Sequence, residues 1–142
     1  MRRISLSANI EYGFAEGSQY IVTPNAQRSI YNIVNDFHAG IHSFTIIGSY
    51  GTGKSSFLLA LESDLKGKGK NYLLDAKNLS PKGKFEILNI VGDYIELSTL
   101  LRRQLQIEGT TDNILDSLCS LYDECQKQGA FLTIVIDEFG KV

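Results

Sequence analysis

The sequence predicts an α/β fold, a parallel sheet with flanking helices, and three observations predict it. Apolar, β-branched runs alternate along the chain with segments of helical spacing. One such run, residues 44–47, leads through a knot of glycines into a helical pattern. Another, residues 131–136, stops abruptly on two carboxylates, Asp137 and Glu138.

The elements follow in order. Residues 1–19 are weakly patterned. Thr23 and Pro24 then start a helix, the threonine as N-cap and the proline at the first helical position. Ile30, Ile33, Val34 and Phe37 form its apolar face, and Gly40 stops it. Phe44, Ile46 and Ile47 look like a strand covered on both faces. Phe57, Leu58, Leu61 and Leu65 recur at helical spacing in the segment that follows, which ends at Gly67. Residues 71–75, "NYLLD", are a short strand candidate, and residues 85–97, "FEILNIVGDYIEL", read as a strand and its exit. Residues 98–106 read as helical. Thr111 or Asp112 caps a last helix with Ile114, Leu115, Leu118, Leu121, Tyr122 and Cys125 on one face, stopped by Gly129.

The 142 residues are one domain's worth of chain, and 43% hydrophobic with 21% charged residues is ordinary for a globular protein. A net charge of −2 points to neither nucleic acid nor membrane. No apolar stretch approaches the roughly 18 residues of a membrane span, and Arg2 and Arg3 are not followed by the apolar core of a secretory signal. Cys119 and Cys125 lie on one helix, which argues against a disulfide or zinc pair and for a reducing, cytoplasmic compartment. His38 and His42 read as loop or helix-end residues rather than ligands.

Between the first strand candidate and its helix, Gly48-Ser49-Tyr50-Gly51-Thr52-Gly53-Lys54-Ser55 fits G-x-x-x-x-G-K-[ST], with Ser56 following. The spacing suits anion capture. Glycines allow positive φ, so backbone N–H groups can turn inward around phosphate oxygens. The helix start adds unpaired N–H groups and a favourable dipole. Lys54 would reach the β- and γ-phosphates, and the Ser55 hydroxyl would hold Mg²⁺. The competing account is a glycine-rich turn that binds nothing, and the flanking strand and helix patterns weigh against it.

Two carboxylates directly after a buried strand are costly unless something uses them. In a parallel sheet, ligands sit at the carboxyl ends of strands, where both the glycine loop and Asp137 would emerge. Asp137 would serve the Mg²⁺ ion, and Glu138 would orient and deprotonate an attacking water.

"GSYGTGKS" resembles a Walker A motif, and "FLTIVIDE" a Walker B motif with its catalytic glutamate. Together they resemble the P-loop NTPases with an additional strand and a catalytic Glu, most closely AAA+-like ATPases. The "PNAQRSIYNIVNDF" segment is similar to the one flanking adenine in that group, and "VIDEFGK" resembles large prokaryotic ATPases of defence and mobile-element clusters. The resemblance implies Mg²⁺ as cofactor, ATP as ligand, and residues 20–142 as the N-terminal portion of a P-loop ATPase domain. The family continues past Walker B with a sensor strand, an arginine finger and a helical lid. Here the chain runs five residues beyond Asp137, so the fold is expected to be truncated after the Walker B strand. It is then completed by more chain, a partner or self-association. Arg102 and Arg103 precede Walker B and do not match the finger by order; they read as solvated helix residues.

Residues 66–84 carry six lysines and one acid, a net +5 against −7 for the remainder. Solvated helix end and loops account for this more simply than a nucleic-acid-facing patch, for which Tyr72 is the one aromatic. Three functions remain in play. The first is ATP hydrolysis by a motor or remodelling enzyme, and the second is a nucleotide-gated switch with slow turnover. The third is a GTPase, since residues 137–140 also fit D-x-x-G. The adjacent Glu138 and the lack of N-K-x-D speak against that third reading.

Overall fold

The computed structural model describes residues 19–67, 71–80, 82–107 and 112–141. The expectations for residues 1–18, for Thr111 as a cap and for Lys68 and Lys70 lie outside them. The chain divides into two compact units, Met1–Gly83 and Lys84–Val142.

In the first unit, helix α1 spans Pro24–His38. The Thr23 Oγ1 accepts from the Ala26 N–H at 3.2 Å, and Pro24 sits where a missing N–H costs nothing. Ala26 and Ile30 are buried, Ile33, Val34 and Phe37 half-buried, as the 3.6-residue period requires. Gly40, at φ 90°, turns the chain out of the helix. His38 ends α1 and His42 lies in the loop after it, and both rings lie beside Phe37. Helix α2 spans Lys54–Leu65 and buries Phe57, Leu59, Ala60 and Leu65 together with Glu62 and Asp64.

Two expected strands are absent from this unit. Residues 44–47 form no strand, and Phe44 and Ile47 are exposed, the latter by 90%. A strand borrows its hydrogen bonds from a neighbour, and among the described residues the sheet pairs only the two strands of the second unit. Residues 71–75 are also irregular. Their N–H groups are taken by a carboxylate instead: Asp64 Oδ1 accepts from Tyr72 at 2.7 Å, and Oδ2 accepts from Leu73 at 2.7 Å and Leu74 at 3.0 Å. A short 3₁₀ turn, Ala76–Asn78, follows, capped by the Asp75 side chain.

The second unit holds strand β1 (Phe85–Val91), helix α3 (Leu97–Leu105), helix α4 (Asp112–Gln128) and strand β2 (Phe131–Asp137). The strands pair in parallel from Phe85↔Phe131 to Val91↔Asp137. The Phe85 and Phe131 rings stack 5.7 Å apart where the ladder begins, and Ile90 and Val135 are buried further along it. Helix α3 packs on β1 and α4, and α4 packs on β2. The Gln104 side chain donates to the Asn89 carbonyl, tying α3 to β1. Arg103 is exposed and Arg102 half-buried in the last turn of α3, a favourable end for positive charge. Gly129, at φ 65°, closes α4.

This is a small α/β arrangement with a two-stranded parallel sheet and flanking helices. The apolar face expected of α4 is narrower than its sequence suggests. Ile114 and Cys125 are buried and Leu118 and Leu121 half-buried, but Leu115 and Tyr122 are 64% and 52% exposed. No helix among the described residues is long and apolar enough to cross a membrane.

Candidate functional site

The glycine loop is built by its own backbone. Gly51 at φ 78° and Gly53 at φ 85° both occupy the left-handed region that side chains disfavour. Thr52 closes the loop: its Oγ1 donates to the Ser49 carbonyl at 2.7 Å, and a Cβ at Gly48 would sit 2.8 Å from that same oxygen. A side chain at 48 would therefore displace the Thr52 hydroxyl. Tyr50 stands at the loop's outer edge, 95% exposed.

Lys54 begins α2 and folds back over the loop. Its Nζ donates to the Gly48 and Ser49 carbonyls, each at 2.8 Å. Gly53 caps α2 with no side-chain hydrogen bond, and no acidic residue lies in the first turn. The N-terminal partial positive charge of α2, the half-buried Ser55 and Ser56, and the Lys54 ammonium thus share one end of one helix. Nothing anionic in that turn competes for them. This is chemistry for an anion with several oxygens.

The second set of expected residues lies at the exit of β2. Asp137 is buried at 9% exposure and accepts the Glu138 N–H on Oδ1 at 2.9 Å. Its carbonyl accepts the Gly92 N–H at 2.8 Å, so the ends of β1 and β2 are stitched together. Glu138 has φ 57°, a left-handed conformation for a non-glycine residue. Its Oε2 pairs with the Lys141 Nζ at 2.8 Å across the short 3₁₀ turn Phe139–Lys141.

All nine residues of 48–56 thus lie in one loop and helix start, and Asp137 and Glu138 at one strand end, with the two groups in different units. Mg²⁺ takes one or two protein oxygens and fills its octahedron with phosphate and water. A serine hydroxyl at a helix start and a buried strand-end carboxylate are donors of that type. Among the described residues no group of three or more His, Cys, Asp and Glu side chains gathers as a metal site.

Three residues escape the sequence reading. Asp64 organises residues 72–74, Gly92 abuts Glu138, and Lys141 pairs with it. Gly92 carries a readable signal, a glycine at a strand exit. Asp64 carries none, because its partners lie eight to ten residues away. No protein-family model matches the chain, and no curated protein or solved structure matches it either.

Proposed function

We propose that this chain binds Mg·ATP through a P-loop of the AAA+-like kind, and supports ATP hydrolysis in a longer chain or assembly. The observation that carries the proposal is the loop of residues 48–56, with left-handed Gly51 and Gly53 and with Lys54 turned back onto it. Lys54 and the α2 N-terminus bind and orient the phosphates, Ser55 and Asp137 supply oxygens to the metal, and Glu138 takes the proton of an attacking water. When bound, Mg²⁺ would take oxygens from Ser55 and Asp137 and would supply positive charge to offset what develops on the phosphates. Glu138 sits in a backbone conformation that costs of order 1–3 kcal/mol, and such strain gathers at functional sites.

A second reading, a nucleotide-gated binding module with slow turnover, draws support from one contact. The Glu138 carboxylate is engaged by Lys141 through Oε2, and the neighbouring ammonium lowers its basicity, so it is a weaker base while that pair is closed. A GTPase finds no such support.

The test is calorimetry with Mg·ATP and Mg·GTP on the chain and on Lys54→Ala. Losing the ammonium leaves phosphate charge uncompensated, so affinity for ATP falls at least about tenfold, about 1.4 kcal/mol. ATP is bound in preference to GTP. Equal ATP affinity in the two proteins refutes the phosphate-loop reading, and a preference for GTP refutes the AAA+-like one.

A further inference from the structure

The exits of β1 and β2 touch at one point. A Cβ built on Gly92 would land on the carbonyl group of Glu138, and would stand 3.3 Å from the Asp137 oxygen. The obstacle is backbone, which cannot swing aside as the tip of a long side chain can. The Gly92 N–H also donates to the Asp137 carbonyl at 2.8 Å, one step beyond the last paired residues, Val91 and Asp137. Gly92 thus holds Glu138 at both of its peptides: its N–H binds the carbonyl before that residue, and its Cα packs against the carbonyl after it. Glu138 takes its left-handed φ within this grip.

A left-handed glutamate does not persist unaided, because extended or right-handed backbone is lower in energy. Two local contacts help: Asp137 Oδ1 accepts the Glu138 N–H, and the Lys141 N–H donates to the Glu138 carbonyl at 2.9 Å. Neither prevents the peptide from moving toward β1. Gly92 does, by filling that space with its own backbone while lacking the methyl that would forbid the approach.

We infer that Gly92 is a positioning residue for the Asp137–Glu138 pair: it sets the direction in which the two carboxylates leave the strand. The inference rests on the Mg·ATP reading. An alanine at this position pushes the Glu138 carbonyl away, breaks the Gly92–Asp137 hydrogen bond and re-aims Asp137. Groups that orient a metal-binding carboxylate typically cost ten- to a hundredfold in metal affinity or activity when altered.

The experiment compares ATP binding with Mg²⁺ and with EDTA, for the unaltered chain, Gly92→Ala and Gly140→Ala, and records thermal midpoints alongside. Gly140 has open space around its Cβ and lies two residues from Glu138, so it controls for a methyl added in the same turn. The expected result is that Gly92→Ala loses about tenfold of the Mg²⁺-dependent affinity and keeps its affinity in EDTA. Gly140→Ala changes neither. A folded Gly92→Ala protein with its Mg²⁺ increment intact overturns the inference and leaves the parent reading standing. If the unaltered chain binds no ATP, the parent reading fails and takes this one with it. Should Gly92→Ala not fold, the double variant Gly92→Ala with Glu138→Gly carries the test. Its flexible residue 138 lets the peptide retreat while Asp137 keeps its carboxylate. The inference expects that double variant to fold and to lack the Mg²⁺ increment, because nothing at position 92 then aims Asp137; a folded double variant that keeps the full increment overturns it.

Discussion

Replacing Asp64 by asparagine should cost the first unit about 3 kcal/mol. The side chain is 1% exposed and accepts three backbone N–H groups, one on Oδ1 and two on Oδ2. Asparagine has the same shape but one acceptor oxygen. In its better orientation that oxygen keeps Leu73 and Leu74, and the amide NH₂ then faces the Tyr72 N–H, donor against donor. The orphaned N–H costs about 1–3 kcal/mol, and the two surviving bonds lose charge assistance worth roughly 0.5–1 kcal/mol each. Against a total stability of about 5–15 kcal/mol, this is a large share. It corresponds to a fall of very roughly 12–24 °C in the melting midpoint of a unit of this size. The assay is urea unfolding followed by circular dichroism, with hydrogen exchange at Tyr72, Leu73 and Leu74. Those three amides should lose protection before the amides of α2 do. An Asp64→Asn protein within about 0.5 kcal/mol of the parent, the spread expected of a surface change, and with these amides still protected, would refute the account.

Glu138→Gln should retain Mg·ATP binding and lose hydrolysis by 10²–10⁴-fold in whichever assembly is active, since an amide cannot accept the proton. Asp137→Asn should instead raise the Mg²⁺ needed for binding; an identical metal dependence for the two variants would show that their roles are not separate. Cys119 should react quickly with iodoacetamide and Cys125 only on unfolding, because Cys125 is buried and its thiol is pushed up by burial first and then by Glu86 and Glu124. That upward shift also fixes a sign: the unfolded thiol ionises first as pH rises, so any stability it contributes is present at neutral pH and lost in alkali. Equal labelling rates for the two thiols in the folded chain would contradict the packing of α4.

What the sequence made legible was mostly local. Helix α1 is announced by Thr23, Pro24 and a regular apolar period, all within one segment. Strand β2 is announced by an apolar, β-branched run, and its end by two acids. The expected strand at 44–47 has the same composition but forms no ladder, because pairing depends on a partner that composition does not encode. Residues 71–75 fail for a different reason: the Asp64 carboxylate takes the N–H groups a neighbouring strand would have used. On α4, at about 100° per residue, Ile114, Leu118, Leu121 and Cys125 fall within roughly 60° of arc. Leu115 and Tyr122 lie about 80° from its centre, outside the strip that packs. The glycine loop was readable because φ above zero demands glycine at Gly51 and Gly53. The left-handed Glu138 was not, because its side chain gives no hint of a conformation imposed by its surroundings.

The parallel register has a consequence for how the chain acquires its structure. Partners in the β1–β2 ladder, such as Phe85 and Phe131, are 46 positions apart in sequence. Closing a loop of that length costs about 3.4 kcal/mol of chain entropy before the first ladder hydrogen bond repays any of it. Helices α3 and α4, which lie inside the loop, can form in microseconds or less, so the ladder is expected to join late. During synthesis at about 5–20 residues per second, "FEILNIV" leaves the ribosome some 2–9 s ahead of its partner. Through that interval an apolar, β-prone segment has no strand to pair with. Mutations that weaken β2 should therefore reduce soluble yield more than they reduce the melting temperature of the protein that survives.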